Sequence, residues 1–176
     1  MIMTLEERIK ALIRDVPDFP QKGVIFRDIT PLLKEPAVVS EIIDEFEGFA
    51  RKKGIEVVVA IESRGFIFGM PLCLRLGVPF VPIRKEGKLP WATVKETYEL
   101  EYGTATVEMH RDAISRGQKV LVLDDLLATG GTALASAKLV EGLGGKVEGI
   151  AFVIELTYLG GREKLKGYDV LTLVRY

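Results

Sequence analysis

Cys73 is the only cysteine in the chain of 176 residues, so no internal disulfide can form, and a disulfide-stapled secreted scaffold is excluded. It lies among apolar residues and reads as a small core side chain in a reducing, cytoplasmic setting. His110 is the single histidine; with no ligand partner at metal-binding spacing it reads as a strand residue. Trp91 is the single tryptophan and is given no role. No apolar run approaches the roughly 20 residues of a membrane-spanning helix. Met1-Ile2-Met3-Thr4 lacks the charged-then-apolar start of a signal peptide, so the expectation is a cytoplasmic protein with no membrane partner. A formal net charge of -1 offers no field for nucleic acid, so no nucleic-acid partner is expected either. Local clusters must therefore carry the argument.

What is present is an ordinary globular composition, 48% hydrophobic and 28% charged, read as a single domain over residues 1–176. Its centre is Val120-Leu121-Val122-Leu123-Asp124-Asp125-Leu126-Leu127-Ala128-Thr129-Gly130-Gly131-Thr132. The opening apolar run suits a strand buried on both faces of a parallel sheet. Adjacent carboxylates follow where the strand is expected to run out into a loop. Small residues come next, and then the helix formers of 133–141. A small-residue loop feeding a helix start cradles phosphate, because the first backbone N–H groups are unpaired and the helix dipole favours an anion. The nucleotide-triphosphatase loop is excluded, since Lys should follow the glycines and Thr132 stands there. An acid pair would repel a second phosphate but accept from neighbouring hydroxyls, and a ribose 5-phosphate offers both groups. The whole string resembles the phosphoribosyl-diphosphate (PRPP) binding motif of phosphoribosyltransferases.

Four further blocks narrow the resemblance. Thr4, Glu6 and Glu7 open a helix through Ile13, ended by Pro17 and Pro20. The segment from Asp18 to Leu33, with Phe19-Pro20, Gly23 and Phe26-Arg27-Asp28-Ile29, resembles the N-terminal signature of adenine phosphoribosyltransferases. Pro36 to Lys53 carries helical apolar spacing. A buried strand over 56–61 ends at Glu62-Ser63-Arg64-Gly65, and a helix starts beyond it with Pro71 near its first turn. Residues 78–83 read as a strand whose prolines suggest an edge or an end, leading into Arg84-Lys85-Glu86-Gly87-Lys88-Leu89-Pro90, the second family block. A hairpin follows, turning at Gly103-Thr104. Its Glu101-Tyr102-Gly103 is the third block, and Glu155 to Leu165 is the fourth. Strands over 146–156 and 168–174 close the sheet.

Membership of that family implies an α/β type I phosphoribosyltransferase fold: a mainly parallel central sheet flanked by helices, a hood from residues 1–35, and a flexible hairpin lid. It implies a pentosyltransferase of purine salvage that converts adenine and PRPP to AMP and diphosphate, with Mg2+ bound with PRPP and no direct protein ligand. Ala128, Thr129, Gly130, Gly131 and Thr132 would hold the 5-phosphate, and Asp124 and Asp125 the ribose hydroxyls. Ser63, Arg64, Arg84, Lys85 and Lys88 would hold the diphosphate, with a cis peptide expected at Glu62–Ser63. Phe26, Arg27, Leu127 and Ala128 would form the adenine pocket, flanked by 156–159. Asp28 would hold Arg27 or touch ligand. Glu101 is the candidate acid/base and Tyr102 lies at the reaction centre. The family implies a homodimer whose partner can lend a cation to the basic loop. The rivals are a phosphoribosyltransferase for xanthine or hypoxanthine and a non-enzymic PRPP-sensing regulator. The regulator would carry an extra DNA-binding domain, and no basic recognition helix is visible.

Overall fold

The computed structural model describes residues 3–100 and 103–176, in compact units of residues 1–45 and 46–176. In the first unit, α1 (Leu5–Leu12) opens on a reciprocal cap. The Glu7 amide donates to Thr4 Oγ1 at 3.2 Å and the Thr4 amide to Glu7 Oε2 at 2.7 Å, which satisfies amides that the first turn leaves unpaired. Ile13 ends the helix, and Arg14–Pro17 form β1, antiparallel to β2 (Ile25–Asp28). No alternation is visible in Arg14-Asp15-Val16-Pro17, and pairing rather than propensity makes this ribbon. Helix α2 (Pro36–Lys53) has the bounds its apolar periodicity predicts.

The second unit is built on one sheet. Its strands are β3 (Val57–Ile61), β4 (Phe80–Lys85), β5 (Thr93–Glu99), β6 (Thr104–His110), β7 (Lys119–Leu127), β8 (Lys146–Glu155) and β9 (Val170–Arg175). They lie in the order β5-β6-β4-β3-β7-β8-β9. The run from β4 to β9 is parallel, and the β5–β6 hairpin adds antiparallel strands at one edge. Helices α3 (Arg64–Leu76), α4 (Gly131–Gly142) and the short α5 (Gly161–Lys164) connect them. Val57, Val59, Val120, Val122, Ile150 and Phe152 fill the core, as near-continuous apolar strands of a sheet covered on both faces should. Among the described residues no helix is long and apolar enough to cross a membrane.

Three local expectations are corrected. Pro71 lies in the interior of α3, not near its first turn, because the helix already starts at Arg64. Proline removes one helix hydrogen bond, and the buried Phe68 and Leu72 on either side keep the helix anchored. Strand β4 is not an edge: it lies between β6 and β3. Its ladder to β6 pairs Arg84 and Lys85, whereas Pro82 pairs with Ala60 of β3, so the missing amide falls where only one neighbour is paired. Finally, Asp124 and Asp125 are strand residues rather than loop residues. Pairing with β8 continues from Asp124↔Phe152 to Leu127↔Glu155, although the β3 side ends at Ala60↔Leu123. The acids thus project where one neighbour has stopped and the other still holds the backbone.

Candidate active site

Because β3 and β7 run parallel and in register, the segments after both leave from the same edge of the sheet, where α/β sheets bind ligands. The Glu62–Ser63 peptide is cis, as the resemblance implies. Gly65 then lets the first turn of α3 sit directly on β7. A Cβ there would lie 2.9 Å from the Leu123 carbonyl oxygen and 3.2 Å from Asp124 Cα. That approach carries Arg64 onto Asp125, Nε donating to Oδ2 at 2.5 Å.

The acids are chemically unequal. Asp125 is buried, 3% exposed, and paired with Arg64. Asp124 is half-buried, and its Oδ1 accepts the Asp125 amide at 2.8 Å. Burial first, and then the neighbouring Asp125 carboxylate, push the Asp124 carboxyl well above its ordinary range; Arg64 opposes them only in part. Both acids line a cavity of about 280 Å³, together with Glu62, Ser63, Arg64, Lys85 and Lys88. Its contents are chemically mixed: cations to meet an anionic group, and carboxylates to accept from hydroxyls.

Asp124 also lines a smaller pocket of about 70 Å³, formed by Leu126, Leu127, the run Ala128 to Thr132, Ala133 and Phe152. Gly130 is left-handed at φ +82° and caps α4, aiming unpaired amides of the helix start at the pocket. The loop has a support behind it. A Cβ on Gly161 would meet the Ala128 carbonyl oxygen at 2.2 Å, so the turn before α5 lies flush against the loop. Arg162 anchors that turn, donating through Nε and Nη2 to Glu155 at 2.9 and 2.6 Å, and Glu155 is itself 4% exposed.

The basic segment is tied down by acids that sequence reading left without a role. Glu62 accepts the Lys85 amide at 2.6 Å and Arg84 Nε at 3.1 Å, with Lys88 Nζ at 3.5 Å. Glu108, only 2% exposed, accepts the amides of Lys88 and Leu89 at 3.1 and 3.0 Å. For both glutamates burial raises the pKa, but the donated hydrogen bonds outweigh it and hold the carboxyl below its ordinary range. A glutamate in an alternating strand signals only a solvated face, so nothing in the sequence marked Glu108.

Most of the expected site residues converge. Ser63, Arg64, Lys85, Lys88, Asp124 and Asp125 share the larger cavity, and Leu127 to Thr132 share the smaller. Arg84 does not line either one; it is turned to Glu62 and to the Lys88 carbonyl. Leu156 is buried, Tyr158 and Leu159 are exposed, and none of them lines these pockets. Phe26 and Arg27 belong to the first unit, where Phe26 packs edge-on to Phe19 at 5.2 Å and Arg27 pairs with Asp15. Asp28 accepts from the Thr30 amide at 2.9 Å and its hydroxyl at 2.8 Å. Glu101 and Tyr102 lie outside the described residues. Leu126 and Phe152, hidden in apolar runs, are wall residues that sequence reading missed.

Among the described residues no cluster of three or more His, Cys, Asp or Glu could hold a metal by itself. The donor set at the larger cavity, a carboxylate pair, suits a hard cation that arrives on substrate phosphates and keeps its waters.

Comparison with known proteins agrees with this geometry. The phosphoribosyl transferase domain family matches residues 30–172. The adenine phosphoribosyltransferase of Thermoanaerobacter pseudethanolicus is 54% identical over 174 residues, covering 99% of this chain and 100% of its own. A crystal structure from that organism superposes with a TM-score of 0.94 at 53% identity, covering 98% of this chain and 100% of the other. The Saccharomyces cerevisiae enzyme, solved with adenine and an imino-altritol bisphosphate, gives 0.91 at 41% identity, covering 98% and 99%. An acid pair on a buried strand, a glycine loop at a helix start and relatives this similar over the whole length lead to one assignment: the chain belongs to the adenine phosphoribosyltransferase family.

Proposed function

We propose that the protein transfers the phosphoribosyl group of PRPP to adenine, giving AMP and diphosphate. The observation that carries this reading is the meeting of the two cavities at Asp124. One has the size and backbone donors for a monophosphate; the other has cations for a diphosphate beside acids for a diol. In the reaction the anomeric C–O bond to diphosphate breaks and a C–N bond to the purine forms. Positive charge develops on the ribose ring and negative charge on the leaving group. The chain's contribution is to hold the reactants in line and to meet the departing charge.

In this reading Ala128 to Thr132 hold the 5-phosphate, and Asp124 and Asp125 accept from the ribose hydroxyls. Ser63, Arg64, Lys85 and Lys88 face the diphosphate, with Arg84 kept in reserve on Glu62. Mg2+ bound with PRPP would lie near Asp124 and Asp125 and offset diphosphate charge. Leu127 and Ala128 receive the base. Glu101 manages the purine proton, and Tyr102 also serves the reaction. The cytoplasm is the compartment in keeping with a lone buried Cys73.

A homodimer is part of the same proposal. Ile67, Met70 and Leu74 are 39%, 47% and 73% exposed, and their spacing of three and four puts them on one face of α3. Leu74→Asp should halve the mass measured by light scattering; an unchanged mass removes this face from the interface.

The activity is tested by following AMP formation from adenine and PRPP, with and without magnesium, beside a panel of other bases. Preference for a 6-oxopurine would overturn the adenine assignment. Replacing Glu101 by Gln should cost most of the turnover with PRPP affinity little altered.

A further inference from the structure

We propose that Tyr98 is a positioning residue for the phosphate loop, its hydroxyl fixing the direction in which Thr132 donates. The inference rests on the reading of 128–132 as the 5-phosphate site. Tyr98 belongs to β5, on the hairpin, yet its side chain reaches the start of α4. Tyr98 Oη and Thr132 Oγ1 are 2.8 Å apart. The ring also closes on the glycine beside it: a Cβ built on Gly131 would lie 2.9 Å from Tyr98 Cδ2. The contact is therefore fixed by packing as well as by the hydrogen bond, and Gly131 makes it possible.

Each hydroxyl has one hydrogen to donate and lone pairs to accept with. Geometry alone leaves the donor undecided, since either oxygen could give its hydrogen to the other. The ligand chemistry decides it. A sugar monophosphate at neutral pH presents oxygens that chiefly accept, so Thr132, which lines the pocket, must give its only hydrogen to the anion. Its lone pairs are then left to accept from Tyr98. The ordered chain runs from Tyr98 O–H to Thr132 O–H to a phosphate oxygen, each donor polarising the next. Tyr98 never touches the phosphate; it acts by holding Thr132 in the donating rotamer.

The test compares Tyr98→Phe, Thr132→Val and the double variant, using steady-state kinetics and calorimetric titration with AMP. Tyr98→Phe keeps the ring against Gly131 and removes only the hydroxyl, and thermal midpoints check that each variant is folded. For Tyr98→Phe the KM for PRPP and the Kd for AMP should rise roughly fivefold, while kcat and the KM for adenine stay within about twofold. The double variant should be no weaker than Thr132→Val alone, because Tyr98 works through Thr132. An unchanged KM for PRPP in Tyr98→Phe, or effects that multiply in the double variant, overturns the inference and leaves the phosphate site standing. If Thr132→Val itself leaves PRPP and AMP binding unchanged, the loop reading fails and takes the inference with it.

Discussion

Arg64 and Asp125 are 61 residues apart in sequence and 2.5 Å apart in space, a guanidinium at the start of α3 bonded to a buried acid of β7. The pair joins the start of α3, which follows β3, to the C-terminal end of β7, and both residues line the larger cavity. Arg64→Ala would leave the Asp125 carboxylate buried without its cation. The expected cost is about 1–3 kcal/mol by denaturant titration, below the range for a fully buried pair because Arg64 is partly exposed. Adding Asp125→Asn should recover part of that loss. Strict additivity would show that the contact carries no coupling.

Asp124 predicts a pH dependence of stability with a definite sign. Burial and the neighbouring acid raise its folded pKa above the ordinary value of 3.8, so the folded state holds a proton that the unfolded chain gives up. Between the ordinary value and the raised one, stability falls as pH rises. Asp124→Asn removes that titration, and its stability relative to wild type should increase from about pH 4 upward. A difference that is flat with pH would mean that Asp124 ionises normally.

Glu62 and Glu108 have the opposite sign. Their folded pKa lies below the ordinary 4.5, so their stabilisation is present above that value and is lost as pH falls through the lower one. Glu108→Ala would strand the Lys88 and Leu89 amides at a cost of about 1–3 kcal/mol. The basic segment should then show faster amide hydrogen exchange than in wild type. Unchanged exchange at Lys88 and Leu89 would mean that other contacts hold the loop.

Gly161 supports the glycine loop of residues 128–132, the proposed 5-phosphate site, from behind. In Gly161→Ala the new Cβ would meet the Ala128 carbonyl at 2.2 Å, and backbone against backbone leaves no flexible tip to yield. AMP affinity should fall by about tenfold or more, equal to roughly 1.4 kcal/mol, with the KM for adenine little changed. Wild-type affinity by calorimetry would show that the loop tolerates the displacement.

Arg162 holds that turn in place through Glu155. Arg162→Ala should weaken AMP binding and lower stability by about 1–3 kcal/mol, the exposure of Arg162 moderating the loss. Arg162→Lys should restore charge but not the fork, and so recover only part. Full recovery with lysine would reduce the contact to a simple charge pair.

Sequence alone settled the parts that depend on neighbours along the chain. The Thr4–Glu7 cap, the apolar repeat of α2, the buried strands around Val57 and Val120 and the small-residue entry to α4 are local, and their residues state their own geometry. The acid pair and the glycine loop into α4 were legible for the same reason, since thirteen consecutive residues carry them. Folding in three dimensions decided what each charge meets. Whether Arg64 faces Asp125, whether Glu108 is solvated or buried, and whether Tyr98 reaches Thr132 depend on strand order and helix approach. A parallel sheet brings remote segments to one edge, and a hydrogen bond depends on ångströms in space, a distance that spacing along the chain does not encode.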